Sequence, residues 1–366
     1  MTERIGRRRI LFLICALLAL IFGLRYSELC AEGVRYGIEL SVNKLIPSLF
    51  PFMVISELII STDTCSLITK IVSKPFSKIF KMTSEGAMPF LLGMLFGFPI
   101  GIRSAITLYE NGKIDKRDLT RLSLFTSIPS PAFFISAVGE GLFGSALFGV
   151  ALYLIALLGS LLIGIFSYPF FENMRGEYFS LQRKTQEVNG NGFIFAVTSS
   201  AQTLISVCSF VVFFSMLSEV AKYFLTFLPI SEKISLCLIG ALEMTGGAAL
   251  ASSLGKVGAP LAAAILGFSG ISVLCQFIAI CKHHRLPIMP YILSKLFLAA
   301  LELLLSILVL HCFAEIITIK DPCAPSFLLY RESRLSIALF SLFACSCFIA
   351  LNEEKRKIFG KALYKR

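Results

Sequence analysis

Long apolar runs separated by short charged stretches constrain this chain more than any other feature. They lie at about 10–24, 42–60, 86–108, 122–138, 142–170, 194–218, 232–256, 258–281, 288–312 and 335–351. Most approach the ~20 residues a helix needs to cross a bilayer. In hydrocarbon every backbone N–H and C=O must find its partner within the protein, so continuous runs of this length read as helices. The expected fold is an all-α polytopic integral membrane protein. Composition agrees, with 56% of the 366 residues hydrophobic and 16% charged, against roughly half and a quarter in a soluble domain.

The net charge of +11 does not signal nucleic acid, because that reading needs basic side chains gathered on a folded polar surface. Here they flank membrane runs: Arg4, Arg7, Arg8 and Arg9 before the first, and Lys355, Arg356, Lys357, Lys361, Lys365 and Arg366 after the last. That distribution predicts cytoplasmic termini. The first run lacks a small-x-small cleavage site and reads as an uncleaved signal anchor. Between 60 and 86, Lys70, Lys74 and Lys78 recur every four residues and Lys81 follows, with Ile71, Phe76 and Phe80 on the other face. This predicts a basic amphipathic helix on the cytoplasmic surface, restarted at Pro75.

Enzyme and metal chemistry find no support. Most of the eleven cysteines sit inside apolar runs as small hydrophobes. His283, His284 and His311 lack acidic or thiol neighbours at ligand spacing. No G-x-S-x-G or H-E-x-x-H motif occurs.

The chain divides at its most polar connection, 171–193, into units at 41–170 and 194–312, with 1–40 and 313–366 flanking them. Leu45–Glu57 and Leu204–Glu219 both end an aromatic-rich run in Ser-Glu, and Gly97-Phe-Pro-Ile-Gly101 is echoed by Gly267-Phe-Ser-Gly-Ile271. Duplicated halves with membrane helices broken by Gly and Pro are a feature of secondary transporters, because a break frees backbone groups to meet a solute. Either every run crosses, or 122–138 and 232–256, the runs richest in breakers, dip in and return. The second choice makes the halves inverted repeats, with about eight transmembrane helices plus two re-entrant hairpins.

Leu45-Ile-Pro-Ser-Leu-Phe-Pro-Phe52, Gly97-Phe-Pro-Ile-Gly101, Ser123-Leu-Phe-Thr-Ser-Ile-Pro-Ser-Pro131, Gly139-Glu-Gly-Leu-Phe-Gly144 and Gly267-Phe-Ser-Gly-Ile-Ser272 resemble, in order and spacing, the YlbJ-type sporulation integral membrane proteins. These carry the nucleoside recognition, or Gate, domain related to concentrative nucleoside transporters. The resemblance implies paired hairpins, the outer forespore membrane, delivery of dipicolinic acid and a role in spore cortex formation. It is incomplete at Ser127-Ile128, where such proteins usually have an asparagine pair.

Ionisable residues inside membrane runs are costly and are the first functional suspects. Arg103 follows the Gly97–Gly101 break, where a guanidinium suits a carboxylate. Glu243 opens Glu-Met-Thr-Gly-Gly247 and would take a coupling cation. Thr126, Ser127, Ser130, Thr245, Ser269 and Gln276 supply hydrogen-bonding groups near the breaks. Half-helix N-termini are expected to favour an anionic solute. Each polar residue also has a packing alternative, since serine serves as a small residue between membrane helices. The partners expected are a small solute, the bilayer and a second copy of the chain; Na+ or H+ would provide coupling and no cofactor is called for. The competing reading is a non-transporting scaffold or regulator of spore-envelope assembly.

Overall fold

The computed structural model describes residues 23–61, 64–172, 174, 192–313 and 315–319. The signal-anchor run up to residue 22, most of the 171–193 loop, the 320–334 connection, the 335–351 run and the basic tail lie outside the described residues. Every regular element among the described residues is helical. Among the described residues four helices are long and apolar enough to cross a membrane: Ala146–Phe166, Gly192–Leu225, Gly255–Cys281 and Ile288–Cys312. Shorter apolar helices pack among them, and the chain is a polytopic integral membrane protein.

Ala146–Phe166 measures the molecule from face to face. The Ser145 side chain starts it by accepting from Phe148 N at 3.4 Å, the N-cap role of serine. Its 21 residues carry the chain about 31 Å, close to a hydrocarbon core. Its first turn packs with Phe143, Ala251 and Ala259 in one apolar cluster. Its last turn meets Arg121, a fully buried side chain. Arg121 donates to Gly164 O at 2.9 Å, Ser167 Oγ at 3.1 Å, Phe80 O at 2.7 Å and Lys81 O at 3.2 Å. It thereby satisfies carbonyls at the ends of two helices, Ala146–Phe166 and Thr64–Phe80.

The Arg121 face also holds the 111–115 turn and the 282–287 connection, because His284 Nε2 lies 3.3 Å from Glu110 Oε1. Lys74, Lys78, Lys81, Lys113, Lys282 and Arg285 are exposed there. Thr64–Phe80 is helical as expected, with Phe76 and Phe80 buried against the core and Lys74 and Lys78 outward. It runs through the exposed Pro75 without restarting.

Two elements reverse direction inside the molecule. Gly93 and Gly101 would stand about 12 Å apart in a straight helix, yet a Cβ on Gly101 would lie 2.7 Å from Gly93 Cα. Ala87–Phe96 and Ile100–Glu110 therefore fold back on each other around Gly97-Phe98-Pro99 and form hairpin 1. In the same way a Cβ on Gly247 would lie 2.3 Å from Gly240 Cα, so Glu232–Leu242 and Met244–Ser252 form hairpin 2 around Glu243.

The expectation that 122–138 re-enters is overturned. Lys116–Phe125 and Phe133–Leu142 do not pack side by side across Thr126–Ser130; they form a broken helix, and the re-entrant segment is the 86–108 run before it. The reason is physical: proline removes an N–H and interrupts a helix, whereas reversal needs a close backbone approach, which paired glycines permit. Ala259–Phe268 and Gly270–Cys281 form the second broken helix, interrupted at Ser269 with φ 67°. Hairpin, broken helix and long helix thus follow in that order twice. Since one long helix, Gly192–Leu225, separates the units, the hairpins open toward opposite faces. The Gly97 motif corresponds in this order to Glu243, and Thr126–Pro131 to Gly267–Gly270. The echo between the Gly97 and Gly267 motifs therefore joins two different kinds of element.

Small residues close the remaining contacts. A Cβ on Gly33 would lie 2.5 Å from Met216 Cα, and one on Gly37 2.6 Å from Val212 Cα, which seats Ser27–Leu40 directly on the backbone of Gly192–Leu225.

Candidate functional site

Each hairpin tip rests on the break that follows it. At hairpin 1, Phe98 N donates to Ile128 O at 2.8 Å, and Gly97, with φ 75°, approaches so closely that a Cβ would lie 2.5 Å from Ser130 N. At hairpin 2, a Cβ on Gly270 would meet Leu242 O at 3.1 Å and Met244 N at 3.3 Å. Break 1 keeps its freed carbonyls occupied, as burial in a membrane protein demands. Ser127 Oγ donates to Ser123 O at 3.0 Å, Ser160 Oγ to Phe125 O, and Lys295 Nζ to Ser127 O.

The two tips and the two breaks border one cavity of about 90 Å³, room for roughly six waters at ~15 Å³ each. Its polar lining comes from Ser127 and Ser130 of break 1, Glu243 and Thr245 of hairpin 2, and Ser269, Ser272 and Gln276 of broken helix 2. Phe98, Pro129 and Phe133 form an aromatic and apolar side; Leu40, Leu45 and Leu49 close it from the 27–61 helices, and Val207 and Val211 from Gly192–Leu225. Six of the eight residues singled out from the sequence therefore share one cavity, although more than a hundred positions separate Ser130 from Glu243.

The other two lie elsewhere. Thr126 is fully buried, donates to Leu122 O at 2.8 Å and fills the gap against Gly93 and Gly101. Arg103 donates to Ser199 Oγ and approaches Glu57 Oε2 at 3.8 Å. It joins hairpin 1 to neighbouring helices and does not line the cavity.

Glu243 interrupts its helix with extended backbone at φ −145° and ψ 123°, and its carboxylate accepts from Thr245 N at 2.8 Å and Gly246 N at 2.6 Å. The N-terminus of Met244–Ser252 is thus already capped by an anion. Ser130 Oγ likewise accepts from Phe133 N at 3.3 Å. The N-terminus of Gly270–Cys281 has no side-chain cap, and it presents Ser272 to the cavity with Gln276 Nε2 donating to Ser272 Oγ at 3.3 Å. The expectation that paired half-helix N-termini face a solute is narrowed to this one.

Lys295 stands behind this lining at 3% exposure, and its Nζ also lies 3.3 Å from Ser269 Oγ. Ser272 carries a hydroxyl to the site that the sequence motifs do not single out; Lys295 and Glu302, seven apart on one apolar helix, are legible from the sequence as an internal pair or a positive charge for a solute.

The sporulation integral membrane protein YlbJ of Bacillus subtilis (strain 168) is 27% identical to this chain over 302 residues, covering 72% of this chain and 74% of that protein. This similarity supports a YlbJ-type assignment. With the apolar helices, it supports a membrane-protein role in sporulation. No family model and no solved structure matches the chain. In this chain the hydrogen-bonding residues of two units, distant in sequence, meet at interrupted helices, an arrangement that can hold a small polar molecule away from lipid.

Proposed function

We propose that this protein is a membrane carrier for a small carboxylate-bearing metabolite in sporulating cells, with its binding site where the two units meet. The observation that carries the reading is the convergence of both hairpin tips and both breaks on one polar cavity. A scaffold has no need to break four membrane segments at a single place, whereas a carrier must expose hydrogen-bonding groups to its solute alternately from each face.

The chemistry of the lining suits a flat aromatic acid. Phe98 and Phe133 offer ring faces, and Ser130, Thr245, Ser272 and Gln276 offer hydrogen-bonding groups. The resemblance to YlbJ-type proteins makes dipicolinic acid, moved across the outer forespore membrane for the spore cortex, the first substrate to test. The one carboxylate in the lining, Glu243, opposes an anion unless a proton or cation travels with it, so coupled uptake is part of the reading. The basic Arg121 face is assigned to the cytoplasm by its excess of lysine and arginine.

Reconstitution decides the matter. Liposomes containing the purified chain should accumulate radiolabelled dipicolinate and leave labelled uridine outside, and an inward proton gradient should raise the rate. Correctly inserted protein that moves neither solute would overturn the carrier reading and favour a scaffold. Uptake of uridine alone would keep the carrier and replace its substrate class.

A further inference from the structure

Where the two broken helices meet, the molecule already holds a positive charge. Lys295 Nζ donates to the backbone carbonyl of Ser127 in break 1 and to the hydroxyl of Ser269 in break 2. The Tyr291 ring lies beside it, 5.5 Å from Nζ to the ring centroid. Glu302 lies two turns along the same helix, fully buried and with neither carboxyl oxygen hydrogen-bonded among the described residues. The neighbouring freed carbonyls, Ser123 O, Phe125 O and Ile128 O, are satisfied by neutral hydroxyl or amide donors. Ser127 O is the one that meets an ammonium.

A carbonyl from one interrupted helix and a hydroxyl from another are oxygen ligands of the kind an alkali-metal ion takes. Unwound carbonyls in carriers serve that purpose. We propose that the Lys295 ammonium is a tethered cation filling this place, so that the joint between the two units is held together without a free metal ion. The inference concerns the joint itself and does not depend on which solute the cavity takes.

Removing the tether should uncover the site. Shortening Lys295 leaves Ser127 O and Ser269 Oγ without their donor. The test uses the full-length chain in detergent, with thermal unfolding followed in sodium chloride and in choline chloride at equal ionic strength and no substrate present. The wild type should melt at the same temperature in both, within about 1 °C. Lys295→Ala should melt at least about 5 °C lower in choline and regain half or more of that loss in sodium chloride or methylammonium chloride. Lys295→Met, which fills the space with an apolar chain, should be destabilised and indifferent to sodium. Adding Ser269→Ala to Lys295→Ala should weaken the regain.

A wild type that responds to sodium as strongly as Lys295→Ala would overturn the proposal, as would a variant that no small cation restores. Failure to recover folded Lys295→Ala from sodium-containing buffer counts against it equally, because the added ion should replace the tether. Loss of dipicolinate uptake in liposomes, by contrast, bears on the carrier reading and leaves these melting temperatures as they are.

Discussion

Hairpin 1 and hairpin 2 share one plan and differ in where they keep their charge. Each reverses over a glycine pair, Gly93 with Gly101 and Gly240 with Gly247, and each sets its tip on the break that follows. The tip of hairpin 1 is Gly97-Phe98-Pro99, without an ionisable group, and the charged residue nearest it, Arg103, faces Ser199 and Glu57 away from the cavity. The tip of hairpin 2 carries Glu243, which lines the cavity while capping its own helix. The difference teaches that the geometry of the site is duplicated but its electrostatics are not: one unit contributes a ring and backbone, the other a carboxylate.

The largest effect should come from the shared plan. Gly247→Val or Gly101→Val places side-chain carbon where backbone already stands, and overpacking of this kind should cost more than about 3 kcal/mol. Neither variant should yield a folded peak on size exclusion. If Gly247→Val purifies with wild-type stability, the fold-back of hairpin 2 is wrong.

A smaller and more selective effect should follow at Glu243. Glu243→Gln keeps the shape and weakens the cap, costing about 1 kcal/mol, while uptake should fall by about tenfold and lose its response to a proton gradient. Unchanged proton dependence would remove Glu243 from coupling and make the two tips more alike than proposed.

The smallest effect belongs to the arginine of hairpin 1. Arg103→Ala should lower stability by about 1 kcal/mol through lost contacts with Ser199 and Glu57, and leave uptake within about twofold of wild type. A large rise in KM would return Arg103 to the solute.

The membrane class and most polar residues of the cavity could be read from the chain, since composition and breakers are local signals. Location of the first hairpin could not be read that way. Thr126-Ser-Ile-Pro-Ser-Pro131 is rich in breakers, yet prolines mark an interruption without saying whether the chain turns back. The reversal is recorded in Gly93 and Gly101, ordinary glycines in an apolar run until their contact is known. Arg103 misled for a related reason: its neighbour in sequence is the hairpin tip, but a helix turns successive side chains in different directions. Thr126 was placed at the right depth and on the wrong side of the backbone.

Opposed hairpins are the central claim, and side-specific labelling tests it most directly. Lys113, beyond hairpin 1, and Lys256, just beyond hairpin 2, are both exposed. Lys113→Cys and Lys256→Cys, each made in a chain whose native accessible thiols have been replaced, can be treated with a membrane-impermeant maleimide in sealed vesicles of known orientation. The account predicts that the two positions label from opposite faces, Lys113→Cys from the cytoplasmic side. Labelling of both from the same face would contradict it.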